Sequence, residues 1–307
     1  MSNIVLLVNP ASGSGTGGRS VPKLLAAFER LGVSTTVLAT EGPGDGVRLA
    51  RQAVALGADK LLVVGGDGTI HEVVNGLLTS DGQPPPFAVA PMGTGNDFYR
   101  IVGAPKRLDD AVRVLMEGRV RQVDVGRARW DDQEKFFVNL MGVGLDVEVL
   151  LRRSRVRVLS GLAQYLVALA AAVVRFRPVP VRIRLESGEE IEAPTMLSAV
   201  TVGPSAGGGF LLNPTAVADD GLLDLCFVDR LNLFQVARYI PKVIRGTHSD
   251  LPVIRMRRFQ HVRFSSPDGG PLPFELDGEL MPAAAGPIDI DVLPGRIGVF
   301  VPAEERP

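Results

Sequence analysis

The chain has 307 residues, with 33 Lys+Arg against 34 Asp+Glu for a formal charge of -1; 46% of it is hydrophobic, 22% is charged, and it has a single cysteine. That length suits about two domains with sizeable cores, and the composition excludes a disordered chain. The charge balance argues against nucleic acid as the main partner, and one thiol excludes an internal disulfide framework and fits a reducing compartment.

From the N-terminus, Ile4–Val8 is a short apolar run halted by Asn9-Pro10 with no basic segment before it, which predicts a buried first strand and not a signal peptide. A helix is expected over 21–31, with Ser20 as N-cap and Pro22 in its first turn. Strands over 33–39, 60–64 and 87–90 then alternate with helices over 45–56, 70–78 and 108–117. Such alternation predicts an α/β, doubly wound parallel sheet whose ligands bind at the carboxyl ends of the strands.

From about Val120 the pattern changes to short runs at 120–129, 136–141, 181–185, 196–202, 222–228, 262–265 and 288–292, with helices near 159–176 and 232–244. This predicts a β-sandwich-rich C-terminal domain. The expected division is 1–122 with the tail 296–307, and 123–295, with the active site in the cleft between them. Cys226 lies in an expected buried strand and reads as a core thiol. The apolar stretch 159–174 contains Gln164 and Tyr165 and is shorter than a membrane span. Arg152, Arg153, Arg155 and Arg157 precede it and Arg175 and Arg177 follow, so a buried helix with solvated ends and a helix at a lipid surface both stay open.

Three strand ends carry glycine clusters. The first, Asn9-Pro10-Ala11-Ser12-Gly13 continuing to Ser20, fits a dinucleotide fingerprint and a phosphate loop only loosely, since Arg19 stands where the latter needs lysine. It still offers many backbone N–H groups at a helix start, which suits an anion; a plain flexible loop is the alternative. The second, Gly65-Gly66-Asp67-Gly68-Thr69 leading into Ile70-His71-Glu72, is more specific. Paired glycines let the backbone approach a phosphate, and a carboxylate at the turn suits a divalent cation beside it; Asp67 as a simple N-cap is the alternative. His71 reads as a helix-surface or packing residue. The third, Gly93-Thr94-Gly95-Asn96-Asp97, places small polar groups after the neighbouring strand.

In this order and spacing, the three clusters closely resemble the diacylglycerol-kinase catalytic-domain family, which includes bacterial soluble lipid kinases and the sphingosine and ceramide kinases. Later marks agree: Asn139-x-x-Gly142-x-Gly144-x-Asp146, Gly207-Gly208-Gly209 before Asn213-Pro214, Asp219-Asp220-Gly221, and Leu276-Asp277-Gly278-Glu279. The resemblance covers essentially the whole chain. It implies an ATP- and Mg2+-dependent lipid kinase acting on the hydroxyl of diacylglycerol or a related lipid, in phospholipid metabolism. It implies nucleotide contacts from Asn9, Pro10, Ala11, Ser12, Gly13, Thr40, Gly65, Gly66, Asp67, Gly68, Thr69, Glu72 and Thr94. It implies an active-site network with Asp67 and Asp97, Glu279 as general base, and a metal site at Asp220 with the carbonyls near Val217 and Leu222. Cytoplasmic placement at the inner face of the membrane, transient membrane contact, no nucleic-acid partner and a homodimer follow from the same likeness. Ser14 stands where close bacterial relatives often carry a lysine. An NAD kinase-like phosphotransferase and a non-catalytic nucleotide- or lipid-binding module are the competing readings.

Overall fold

The computed structural model describes residues 3–93, 95–153 and 176–303. The chain forms two compact units, Met1–Val123 with Gly295–Pro307, and Asp124–Pro294.

The first unit runs β1 (Ile4–Val8), α1 (Ser12–Arg30), β2 (Thr35–Ala39), α2 (Asp45–Ala55), β3 (Lys60–Gly65), α3 (Asp67–Leu78), β4 (Phe87–Pro91), α4 (Asp97–Val102) and α5 (Leu108–Glu117). β4, β3, β1 and β2 are neighbours in that order, all parallel. Every residue of β1 is inaccessible to solvent, as expected of a parallel strand with helices over both faces. Ile4, Leu6 and Val8 pack with Leu62, Val64, Ala88 and Ala90 against Leu24 and Phe28 of α1 and Leu115 of α5. The intervening Val5, Leu7, Leu61 and Val63 are equally buried on the other face.

The second unit is antiparallel. It contains most of β5 (Arg119–Trp130), then β6 (Gln133–Phe137), β7 (Leu140–Gly144), α6 (Leu145–Arg153), β8 (Val179–Leu185), β9 (Glu190–Thr201), β10 (Leu223–Asp229), α7 (Leu233–Ile244), β11 (Ile254–Phe259), β12 (His261–Ser265), β13 (Glu275–Leu276), β14 (Glu279–Leu280) and the first half of β15 (Ile288–Val301). The neighbours run β14, β13, β7, β9, β8, β12, β15, with β10 bridging β9 and β11. Beyond Gly295, β15 returns to the first unit, where Val299 pairs in parallel with Phe87 of β4.

Several boundaries differ from the sequence reading. α1 does not start behind Ser20. Its helical course resumes after three left-handed residues, Gly13, Ser14 and Gly15, and Ser20 donates its hydroxyl to the Gly17 carbonyl inside the helix. Pro22 is therefore interior, where its missing N–H removes one helical bond. α3 begins three residues earlier than expected, so Asp67 lies in its first turn. The run 136–141 divides between β6 and β7, and β11, β13, β14, α4 and α6 went unforeseen. The expected helix over 159–176 lies outside the described residues except at its end. Among those described, no helix is long and apolar enough to cross a membrane.

Candidate active site

In the first unit the three glycine loops follow β1, β3 and β4, and the second is bonded to each of the other two. The Asn9 amide N–H donates to the Val64 carbonyl at 2.9 Å, and Asn9 Nδ2 donates to Thr69 Oγ1 at 3.0 Å. The Met92 N–H donates to the Gly65 carbonyl, and the Phe98 N–H donates to Asp67 Oδ1 at 3.2 Å. Two of these loops meet with no side chain between them: a Cβ on Gly66 would lie 2.9 Å from the Gly93 Cα. Gly13, at φ +57°, sits against the Met92 carbonyl, which a Cβ would meet at 2.5 Å.

Within the first loop, Ser12 Oγ donates to the Asn9 carbonyl, Asn9 Oδ1 accepts from the Ala11 N–H, and the Pro10 carbonyl accepts from the Gly18 N–H. Arg19 folds back onto the Ser14 carbonyl and Thr16 Oγ1, keeping a cation on the loop that lacks the lysine. α3 starts at Gly66 without a side-chain cap, and its first turn contains Asp67, Gly68 and Thr69. Uncapped N-terminal amides and a turn of left-handed residues are groups that accept phosphate oxygens. The residues present fit a nucleotide's phosphates.

Thr40 follows β2, with its N–H on the Val8 carbonyl beside Asn9. Asp97 is 6% exposed and paired with Arg100 at 3.3 Å. Glu72 has a different environment from the phosphate loops: its two oxygens accept the N–H groups of Gly44 and Gly46 at 2.7 and 2.8 Å, clamping the start of α2. His71 is buried beside Asn75. Thr94 lies outside the described residues.

In the second unit, Asp277 anchors the turn that leads to Glu279. Its carboxylate accepts from the N–H groups of Val138, Asn139 and Leu140 at 2.8–3.3 Å. Glu275 Oε2 accepts from the Gly278 N–H at 2.6 Å, so the turn is held from two sides. Glu279 itself is exposed on β14.

Sequence reasoning passed over Glu275. It stands opposite Gly142 in the pairing of β13 with β7, and Asp146 follows in the first turn of α6. A Cβ on Gly142 would lie 1.4 Å from Asp146 Oδ2 and 2.9 Å from Glu275 Oε1, so the two acids meet over the glycine. Asp146 Oδ2 is buried and has no hydrogen-bond partner among the described residues. Burial pushes the Asp146 carboxyl up to about 7. Burial and the neighbouring Asp146 charge raise Glu275 well above the carboxylate range. The available signal was the spacing Glu275, Asp277, Glu279, three acids on alternate positions.

Asp146 lies at the margin of an apolar cavity of about 140 Å³. Leu140, Met196, Phe210, Cys226 and Ile254 line it with the inner side of α7. Burial pushes the Cys226 thiol up to about 12, so Cys226 is a core thiol.

Asp220 pairs with Arg258 and accepts from the Leu222 N–H at 3.1 Å, while Val217 is 44% exposed. Asp224 lies beside them, its carboxyl pushed to about 6, chiefly by burial. A cation at Asp220 would have to displace the guanidinium. Among the described residues no three His, Cys, Asp or Glu side chains gather into a ligand set, and the site implied by the family likeness draws on backbone carbonyls besides Asp220.

A parallel sheet with phosphate-type loops at its strand ends, followed by an antiparallel unit with an apolar cavity and an acid-bearing turn, is a two-domain arrangement suited to phosphoryl transfer. Residues 3–128 match the diacylglycerol kinase catalytic domain, and residues 139–301 match the YegS C-terminal NAD kinase beta sandwich-like domain. The chain is 31% identical to a Mycobacterium tuberculosis diacylglycerol kinase over 98% of its own length and 96% of the relative's. It is 30% identical to the Bacillus subtilis diacylglycerol kinase, covering 91% and 90%. A Bacillus anthracis structure, described as a candidate diacylglycerol kinase, aligns over 97% of both chains with a TM-score of 0.76 and 26% identity. Yeast NADH kinase shares the fold, with a TM-score of 0.56 at 14% identity over 99% of this chain and 84% of that one. The protein belongs to the diacylglycerol kinase family and is at that level a kinase-type phosphotransferase.

Proposed function

We propose that this protein is a lipid kinase that transfers the γ-phosphoryl group of ATP to the hydroxyl of diacylglycerol or a related lipid. The observation that supports this most is the pairing, in one chain, of three glycine loops joined through the second with an apolar cavity that has an acid in its lining. ATP would supply the phosphoryl group, with Mg2+ as the counter-ion of its phosphates. Asn9 to Gly13 and Gly66 to Thr69 would hold the phosphates through backbone N–H groups, with Asp67 and Asp97 in the polar network around them and Thr40 and Thr94 at the nucleotide. The cavity would take the acyl portion of the acceptor, and Glu279 would accept the hydroxyl proton from a turn that Asp277 and Glu275 keep in place.

The test is transfer of labelled phosphate from ATP to diacylglycerol, monoacylglycerol, phosphatidylglycerol, ceramide and sphingosine, with and without Mg2+, alongside Glu279→Ala. Label in one lipid that disappears with the variant supports the reading. Label in NAD instead would favour the second reading, which the shared fold with yeast NADH kinase keeps in view. ATP binding without any labelled product would point to a binding module.

A further inference from the structure

Helix α7 presents different chemistry on its two sides. Val236, Tyr239, Ile240 and Val243 line the apolar cavity. Phe234, Ala237, Arg238, Pro241, Ile244 and Arg245 form the opposite stripe, and all six are exposed. Their spacing of three and four residues makes them one helical face. Phe234, at 75%, is the most exposed large apolar side chain among the described residues, and Ile244 is 46% exposed.

Neither side chain contributes much to packing, because the helix already buries its other face. Nor does Phe234 sit on a frayed end. Asn232 Oδ1 accepts from the Gln235 N–H, and Gln235 Oε1 accepts from the Asn232 N–H, both at 2.9 Å, a reciprocal cap that fixes the first turn. The charge is one-sided as well. Between Asp229 and Asp250 the sequence has Arg230, Arg238, Lys242 and Arg245 and no acid, in a chain whose overall charge is -1.

We propose that this outer stripe of α7 docks the protein on an anionic lipid bilayer. Phe234 and Ile244 enter the boundary between headgroups and acyl chains, while Arg238 and Arg245, with the partly exposed Lys242 on the flank, meet lipid phosphates. This rests on the lipid-kinase reading of the cavity, since the same helix forms its wall. A lipid drawn from the bilayer then has about one helix diameter, roughly 10 Å, to travel.

The experiment is co-sedimentation of the full chain with phosphatidylcholine vesicles, with and without phosphatidylglycerol, for the unmodified protein, Phe234→Ser, and Arg238→Gln with Lys242→Gln. The unmodified protein is expected to prefer the anionic vesicles, more so at low salt. The double charge variant should bind them roughly tenfold more weakly or worse, and Phe234→Ser should bind weakly at any salt. Phosphorylation of long-chain diacylglycerol in those vesicles should fall with binding, while that of short-chain, water-dispersed diacylglycerol stays unchanged. Equal binding of variants and unmodified protein overturns the proposal, as does equal binding to neutral and anionic vesicles. A dimer that Phe234→Ser converts to monomer without changing vesicle binding overturns it too, and assigns the stripe to a second copy of the chain. If neither form of diacylglycerol is phosphorylated, the kinase reading fails and vesicle binding alone decides the docking surface. Should the charge variant fold poorly, Phe234→Ser, which removes an already exposed ring, still decides it.

Discussion

Gly142 has no side chain because two acids take up the space above it, with Asp146 Oδ2 1.4 Å from where a Cβ would be. Gly142→Ala must push those acids apart inside a packed unit. It is expected to lower unfolding stability by about 1–3 kcal/mol, read as a lower urea midpoint at unchanged slope. The same pair sets a pH response. Both carboxyls titrate higher in the folded protein than in the unfolded chain, so the folded state binds more protons above about pH 4, with Asp146 releasing its proton at about 7. The stability this contributes is whole below about pH 4 and is lost as pH rises through about 7. Glu275 also faces Asp277 and Glu279, so a second charge there meets acids on several sides. Glu275→Gln keeps an oxygen for the Gly278 N–H and removes the charge. Its effect on melting should grow as pH rises past the Asp146 carboxyl at about 7; equal melting shifts at pH 5 and pH 8 would show that the pair is not the titrating group.

At the scale of elements, Glu72 joins two helices: it lies on α3 and its carboxylate accepts the N–H groups at the start of α2. Gly46 has no room for a side chain because Glu72 covers it, with Oε2 2.7 Å from a would-be Cβ. Glu72→Ala should cost about 1–3 kcal/mol by leaving these amides unpaired, and hydrogen exchange should quicken at 44–47 while the strands stay protected. The order of these elements was legible in the sequence. Buried parallel strands such as Ile4–Val8 are unbroken apolar runs, and Leu108–Glu117 has helical periodicity from end to end. The start of α1 was not, because glycines obey no periodicity and Ser20 resembles a cap whether or not it is one. The glycine loops could be recognised because a close approach such as Gly66 to Gly93 demands that residue type. Glu275 could not: an acid inside a strand reads as its wet face, and only the pairing with Gly142 in β7 turns that face inward. The second bond partner of Glu72 was hidden for a related reason, since its sequence neighbours form a phosphate-type loop while its carboxylate reaches the N–H groups of α2.

At the scale of the whole molecule, the chain leaves the parallel unit along β5 and returns along β15, so the antiparallel unit is an insertion between two strands of one α/β domain. Each unit then contains a separate candidate binding element, and the two can be disabled independently. Gly66→Ala is conformationally harmless, since Gly66 has φ -100°. Its Cβ would nonetheless force the second loop off Gly93, and a displacement of that size disrupts amides that must converge on phosphate oxygens. Ala206→Leu adds a branched side chain to the cavity, where Ala206 is 1% exposed. If the loops hold the nucleotide and the cavity holds the acyl chain, Gly66→Ala should weaken ATP binding by roughly tenfold or more and leave binding of a fluorescent acyl probe intact. Ala206→Leu should do the reverse, raising KM for the lipid with ATP binding unchanged. Calorimetry with ATP and titration with the probe read the two separately. Loss of both ligands in either variant, with melting unchanged, would mean that the two units do not divide the substrates between them.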